Sequence, residues 1–243
     1  MNSVCMAVYN GEKHVKIQLE SILEQLSIED EIVIVNDNST DSSLNIINKI
    51  NDNRIKVINN DENIGVIKSF EKAINLSKGK YIFLSDQDDK WYPNKVTDVI
   101  KTFNENDCLL LVSDATVVND DLEVIHESFF NLLNSGEGLV KNFIKNTFLG
   151  CSIVFKKDLK EKILPFPDGI PMHDTWIGLV ASLHSKPMFL KKPLIYYRRH
   201  AANVTSLKRE RSVVLVARDR AKLLLLLSKR VIRDNRFKKT KVN

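Results

Sequence analysis

With 243 residues, 43% of them hydrophobic, the chain is long enough to bury a complete core, which excludes a disordered polypeptide. Three cysteines, Cys5, Cys108 and Cys151, are too few and too widely spaced for a disulfide framework, and none lies in a metal-binding spacing. The net charge of +5 conceals a division: residues 205–243 hold 13 Lys/Arg against 3 Asp/Glu, whereas residues 1–204 hold 23 basic and 28 acidic residues.

The apolar run Ser3 to Tyr9 starts so close to Met1 that no secretory leader fits ahead of it, and a cytoplasmic location is expected. The sequons at Asn38, Asn75 and Asn203 are then chance matches. Runs of strand length, rich in Val, Ile and Tyr, recur at Glu31 to Asn36, Ile55 to Ile58, Tyr81 to Ser85 and Leu109 to Ser113. Helical stripes lie between them: Leu19, Ile22, Leu23 and Leu26, then Leu44, Ile47 and Ile50, then Ile67, Phe70 and Ile74. This alternation predicts an α/β fold with a mainly parallel central sheet flanked by helices. Further on, Thr147 to Phe155 reads as another strand, Pro165 to Gly169 as a loop, and a helix is expected from about His173. From Lys208 a basic helical tail closes the chain, and no apolar run approaches the roughly 20 residues that span a membrane.

In open sheets of this type, ligands bind beyond the carboxyl ends of the strands. Polar clusters stand at four such ends: Tyr9-Asn10-Gly11, Asp37-Asn38-Ser39, Asn63-Ile64-Gly65 and Asp86-Gln87-Asp88-Asp89. Three carboxylates within four residues repel one another, and oxygen-only ligands of this density suit Mg2+ or Mn2+ bound together with substrate phosphates. A turn of helix-capping aspartates is the plainer alternative. No glycine-rich phosphate cradle follows any strand, which argues against a dinucleotide oxidoreductase or a P-loop enzyme. Tyr9, Asn10 and Asp37 stand where a base and ribose would be read, although Asn38 to Asp41 also carries a helix-capping signature. Asp174, beside Trp176 at a helix start, is either a general base or an ordinary first-turn acid. In Tyr196 to His200 the arginines suit phosphate oxygens and the imidazole suits a metal, or the segment is simply a basic strand end.

Taken in order, these motifs resemble family-two inverting glycosyltransferases of the GT-A fold. The stretches are Met6 to Glu12, Val35 to Asp41, Asn63 to Gly65, Ser85 to Asp89, His173 to Trp176 and Tyr197 to His200, and the likeness is nearest to bacterial rhamnosyltransferase-like members. The resemblance spans residues 3–204 and implies a role for each motif. Tyr9 and Asp37 would contact the base, and Asp86 the ribose or diphosphate. Asp88 would hold Mn2+ or Mg2+, Asp174 would be the catalytic base, and His200 would complete the metal or diphosphate site. Ala7, Asn10, Glu12, Asn63, Gly65, Gln87, Trp176 and Arg198 complete the expected donor and acceptor contacts. Two departures stand out: Asn36 replaces the first acid of the usual Asp-Asp pair, and Asn38 stands where glycine is common.

The expected partners are a UDP- or dTDP-linked sugar and a glycan or lipid-linked acceptor in surface polysaccharide synthesis. The expected domains are a GT-A unit over 1–204, divided into a nucleotide-binding part (1–115) and an acceptor part (116–204), and a tail over 205–243. The tail either packs its Val/Leu face on the catalytic unit or makes peripheral contact with the inner face of the cell membrane. Nucleic-acid binding is not expected, since the tail is poor in aromatic residues. A nucleotidyltransferase or phosphotransferase, and a non-catalytic nucleotide-sugar binder, are the competing functions.

Overall fold

The computed structural model describes residues 1–199 and 213–240. The first half follows the alternation read in the sequence. It comprises β1 (Asn2–Val8), α1 (Val15–Leu23), β2 (Glu31–Asn36), α2 (Ser43–Ile50), β3 (Ile55–Asn59), α3 (Val66–Leu76) and β4 (Tyr81–Ser85). The chain continues through β5 (Lys90–Trp91), α4 (Lys95–Glu105), β6 (Leu110–Val118), β7 (Val124–His126), α5 (Phe129–Leu133) and α6 (Leu139–Ile144). It closes with β8 (Ile153–Lys156), α7 (Lys157–Ile163), α8 (His173–His184), β9 (Met188–Arg198) and α9 (Val213–Thr240).

Among the described residues one sheet runs in the order β3-β2-β1-β4-β8-β6-β9-β5, with β7 added to β6. β3, β2, β1 and β4 are mutually parallel, because α1, α2 and α3 supply the crossovers that parallel strands require. Beyond β4 the sheet is mixed: β8 is antiparallel to β4 and β6, β9 is parallel to β6, and β5 is antiparallel to β9. Every residue of β2, β4 and β6 is buried, consistent with a sheet covered on both faces. α3 packs on β1 and β2, setting Phe70, Ala73 and Ile74 into the core.

The strand expected over Thr147 to Phe155 is shorter in the structure. A 3-10 turn occupies Gly150–Ser152 and only Ile153 onward enters the ladder. The cause lies in Asn142, whose Oδ1 accepts the Thr147 N–H at 3.1 Å and the Thr147 hydroxyl at 2.7 Å, giving that backbone a partner outside any sheet.

The start of the basic tail expected at Lys208 lies outside the described residues, as does His200. Within α9, Leu223 and Leu227 are buried, and Arg230 reaches the carbonyls of Lys162, Leu164 and Pro165. Its guanidinium also sits 5.0 Å from the centre of the Trp176 ring, and His184 of α8 pairs with Asp234 at 3.1 Å. No helix among the described residues is long and apolar enough to cross a membrane.

Candidate active site

Parallel register places the ends of β1, β2, β3 and β4 side by side: Val8 pairs with Asn36, Asn36 with Asn59, and Met6 with Ser85. The polar clusters that follow these strands therefore meet, and they hold one another through their backbones. Gln87 clamps Tyr9 on both sides, accepting its N–H at 2.9 Å and donating to its carbonyl at 3.0 Å. Asn10 accepts the Thr40 N–H at 2.8 Å, while Glu12 accepts the Ser42 N–H at 3.0 Å. Gly11 leaves room for this clamp, because a β-carbon at that position would lie 2.4 Å from Gln87 Oε1. Asn38 has φ 60°, the left-handed region that glycine enters freely and Asn tolerates. Asn36 donates to Asn59 Oδ1 at 3.0 Å, so the position that usually carries an acid serves here as a strand-to-strand tie.

Asp37, expected to contact the base, organises the third loop. It is 2% exposed, and its carboxylate accepts from Asn60 Nδ2 at 2.8 Å and from the N–H groups of Ile64 and Gly65 at 2.9 Å each. Those bonds fix Asn63, which is exposed, and Gly65, at φ 85°, at the entrance to α3. Tyr9 stands 47% exposed at the rim and Ala7 is half-buried one turn of the pleat behind it.

The acidic loop after β4 is gripped from three directions. Gln18 of α1 donates to Ser85 Oγ at 2.7 Å and to the Asp86 carbonyl at 2.9 Å. Gln87 ties the loop to β1. From the end of β9, Arg198 donates its backbone N–H to Asp89 Oδ1 at 3.0 Å and Nε to the Asp88 carbonyl at 2.8 Å, with Nη1 on the Asp120 carbonyl. Arg198, expected at phosphate oxygens, is 1% exposed, and its Nε and Nη1 hold main-chain carbonyls beside the acids.

One ligand atom from each of Asp86, Asp89 and Cys151 falls within 4.8 Å of the others. Burial, then the charges of Asp89, Asp88 and Asp174, push the Asp86 carboxyl well above the ordinary carboxylate range. Asp89 is raised to about 7 by burial and then by Asp88, and its Oδ2 is buried with no nitrogen or oxygen partner. Lys95 is buried beneath, donating to the Cys151 carbonyl at 3.2 Å over the Trp91 ring, and burial lowers it to about 7. Burial and the adjacent carboxylates raise the Cys151 thiol, which keeps it protonated. The acids Asp86, Asp88, Asp89 and Asp174 here outnumber the two buried cations described beside them, Lys95 and Arg198.

Asp174 opens α8, and its charge acts on Asp86, so the two acids belong to one site. Burial raises its carboxyl to about 6, against hydrogen bonds from Thr175 and Asn146 that lower it. Gly150 allows the approach: a β-carbon there would stand 3.1 Å from His173 Nε2 and 3.5 Å from Asp174 Cβ. His173 stacks on Phe70 at 4.2 Å, and burial lowers its pKa to about 3. Trp176, expected as a substrate contact, is fully buried in the core and donates its N–H to the Ile163 carbonyl at 2.9 Å. Lys95, Asn146, Gly150 and Cys151 were not singled out as site residues from sequence. Asn146, Gly150 and Cys151 lie far from the acidic loop along the chain, and Lys95, though close to Asp89, carries no local motif.

Residues 3–164 match the description of glycosyl transferase family 2. The chain is 28% identical over 215 residues to dTDP-rhamnosyl transferase RfbG of Shigella flexneri, covering 82% of this chain and 72% of that protein. It is 30% identical over 208 residues to the Escherichia coli UDP-Glc:alpha-D-GlcNAc-diphosphoundecaprenol beta-1,3-glucosyltransferase WfaP, covering 85% and 80%. Among solved structures, S. aureus TarS 1-349 in complex with UDP-GlcNAc superposes with a TM-score of 0.69 at 22% identity, over 86% of this chain and 61% of that one. The mannosyltransferase PcManGT of Pyrobaculum calidifontis, in complex with GDP-Man and Mn2+, superposes with a TM-score of 0.62 at 18% identity, over 96% and 64%. The chain thus spans about three-fifths of the length of these solved relatives, whose likeness is one of GT-A fold. With strand-end loops that converge on a carboxylate cluster, and with two-thirds of its length matching one family, this chain belongs to glycosyl transferase family 2.

Proposed function

We propose that the enzyme transfers a sugar from a UDP- or dTDP-linked donor to a hydroxyl of a glycan or lipid-linked acceptor, with inversion, and that Asp174 is the base. The observation that carries this reading is a carboxyl raised to about 6 whose charge acts on the acidic loop. Such a group is ionised at neutral pH yet basic enough to accept a proton as the acceptor oxygen attacks. That oxygen bonds to the anomeric carbon while the bond from carbon to diphosphate oxygen breaks. The electron pair leaves with the nucleoside diphosphate, and one displacement inverts the centre. The names of the relatives support both nucleotides: RfbG is a dTDP-rhamnosyl transferase, and WfaP a UDP-Glc transferase acting on a diphosphoundecaprenol-linked sugar.

The donor set suits a hard divalent cation, Mn2+ or Mg2+. Asp88 and Asp86 offer oxygen, the neighbouring thiol stays protonated, and the acids outnumber the buried cations Lys95 and Arg198. Bound by Asp88, such an ion would supply positive charge for the departing diphosphate. His200 is proposed as a further ligand from the family resemblance alone. Tyr9 at the rim is proposed to meet the base, with Asn63 and Gly65 beside the ribose. The GT-A unit is proposed to span residues 1–204, with the nucleotide part at 1–115 and the acceptor part at 116–204.

Incubation with a panel of nucleotide sugars and acceptors, with and without Mn2+, tests the reading. Free nucleoside diphosphate and a glycosylated product of inverted anomeric configuration by NMR are expected. Asp174→Asn and Asp88→Asn should each lower turnover on the order of 100-fold or more. Donor binding without product would make the chain a binding protein, and retained configuration would remove the single-displacement scheme.

A further inference from the structure

Among its described side chains, helix α9 turns one face to the catalytic body. At about 100° per residue, Leu223, Leu227 and Arg230 share an arc, and all three are buried. The opposite arc carries Leu225 and Ile232, each 55% exposed, together with the exposed cations Arg218 and Lys229; Leu224, 57% exposed, borders it. Large aliphatic side chains facing water beside lysine and arginine match a surface that offers acyl chains and negative headgroups together.

We propose that this outward face of α9 is a docking surface for an anionic lipid bilayer. Charge complementarity carries the choice of occupant. Residues 205–243 hold ten more basic than acidic residues, while residues 1–204 hold five more acidic than basic. An anionic bilayer therefore attracts the tail and repels the body, which orients the enzyme with α9 toward the lipid. The inner face anchors that orientation, because Arg230 holds the carbonyls of Lys162, Leu164 and Pro165 and so makes the helix part of the body. Trp176, two residues from Asp174, lies under the same guanidinium, so docking at α9 occurs on the element next to the catalytic helix.

Flotation of the full chain on vesicles of phosphatidylcholine with 30% phosphatidylglycerol, against phosphatidylcholine alone, tests the proposal. Co-flotation with the anionic vesicles only is expected, weakening with salt. Arg218→Glu combined with Lys229→Glu should reduce partitioning at least about 25-fold, at roughly fivefold for each basic residue removed. Leu225→Asp combined with Ile232→Asp should abolish it. Both double variants are expected to keep the wild-type melting temperature, since the four side chains face away from the body. If the aspartate pair unfolds the chain, Arg218→Gln combined with Lys229→Gln decides. Absence of flotation on anionic vesicles, equal flotation on neutral ones, or full flotation of the charge variants overturns the proposal. So does a dimer in sedimentation that Leu225→Asp with Ile232→Asp dissolves. Transfer to a water-soluble acceptor is measured alongside and is expected to be unchanged, so a failure here is separate from a failure of the catalytic reading.

Discussion

Replacing Asp174 by Asn should disable the enzyme and stabilise it, with a pH dependence set by the half-buried carboxyl. Burial raises this group from 3.8 to about 6, so the ionised form is disfavoured in the folded state. Its contribution to stability is complete below the unfolded value and is lost as pH rises through the folded one. At about 1.4 kcal/mol per pH unit the difference amounts to about 3 kcal/mol, and solvent contact at the half-buried carboxyl screens this to roughly 2 kcal/mol. Asn retains an oxygen for the Thr175 N–H and carries no charge to bury. The variant should therefore melt with the wild type at pH 4 and above it at pH 8, by roughly 4–8 °C for a chain of this size. Differential scanning fluorimetry in EDTA at both pH values measures this, and wild-type transfer rate should fall as pH drops through about 6. A variant that melts at or below the wild type at pH 8, or one that still transfers sugar normally, refutes the assignment.

Three further outcomes follow from the loops and the tail. Gly11→Ala should push Gln87 off the Tyr9 backbone and raise the donor KM roughly tenfold with little change in melting, because the displaced group is a flexible side-chain end. Asp37→Asn should cost roughly 1–3 kcal/mol in urea denaturation, because an amide nitrogen would face either the Gly65 N–H or the donors at Ile64 and Asn60. Arg230→Ala should lower stability by roughly 2–4 kcal/mol in the same assay, removing this donor from the carbonyls of Lys162 and Pro165 and leaving Leu164 with Arg233.

Local pattern alone was enough for the parallel half of the sheet. Period-two and period-3.6 signals are written into consecutive residues, and strands such as Glu31–Asn36 and Tyr81–Ser85 begin and end where the apolar runs do. The acidic loop and the clustering of four strand ends were legible for the same reason, since a parallel crossover leaves few other arrangements. Asn38 departs from the glycine common at this position, and its left-handed backbone explains how it takes that place.

What tertiary structure decided is which polar side chains hold the loops. In sequence, Arg198 and Trp176 have the chemistry of ligand contacts, yet one is spent on carbonyls of Asp88 and Asp120 and the other on the carbonyl of Ile163. Residue type states what a side chain can bond to, whereas burial states which bond is taken, because a polar group removed from water must find its partner inside. The same distinction separates the two faces of α9: the inner one is spent on the catalytic body, and only the folded chain leaves Leu225 and Ile232 outside.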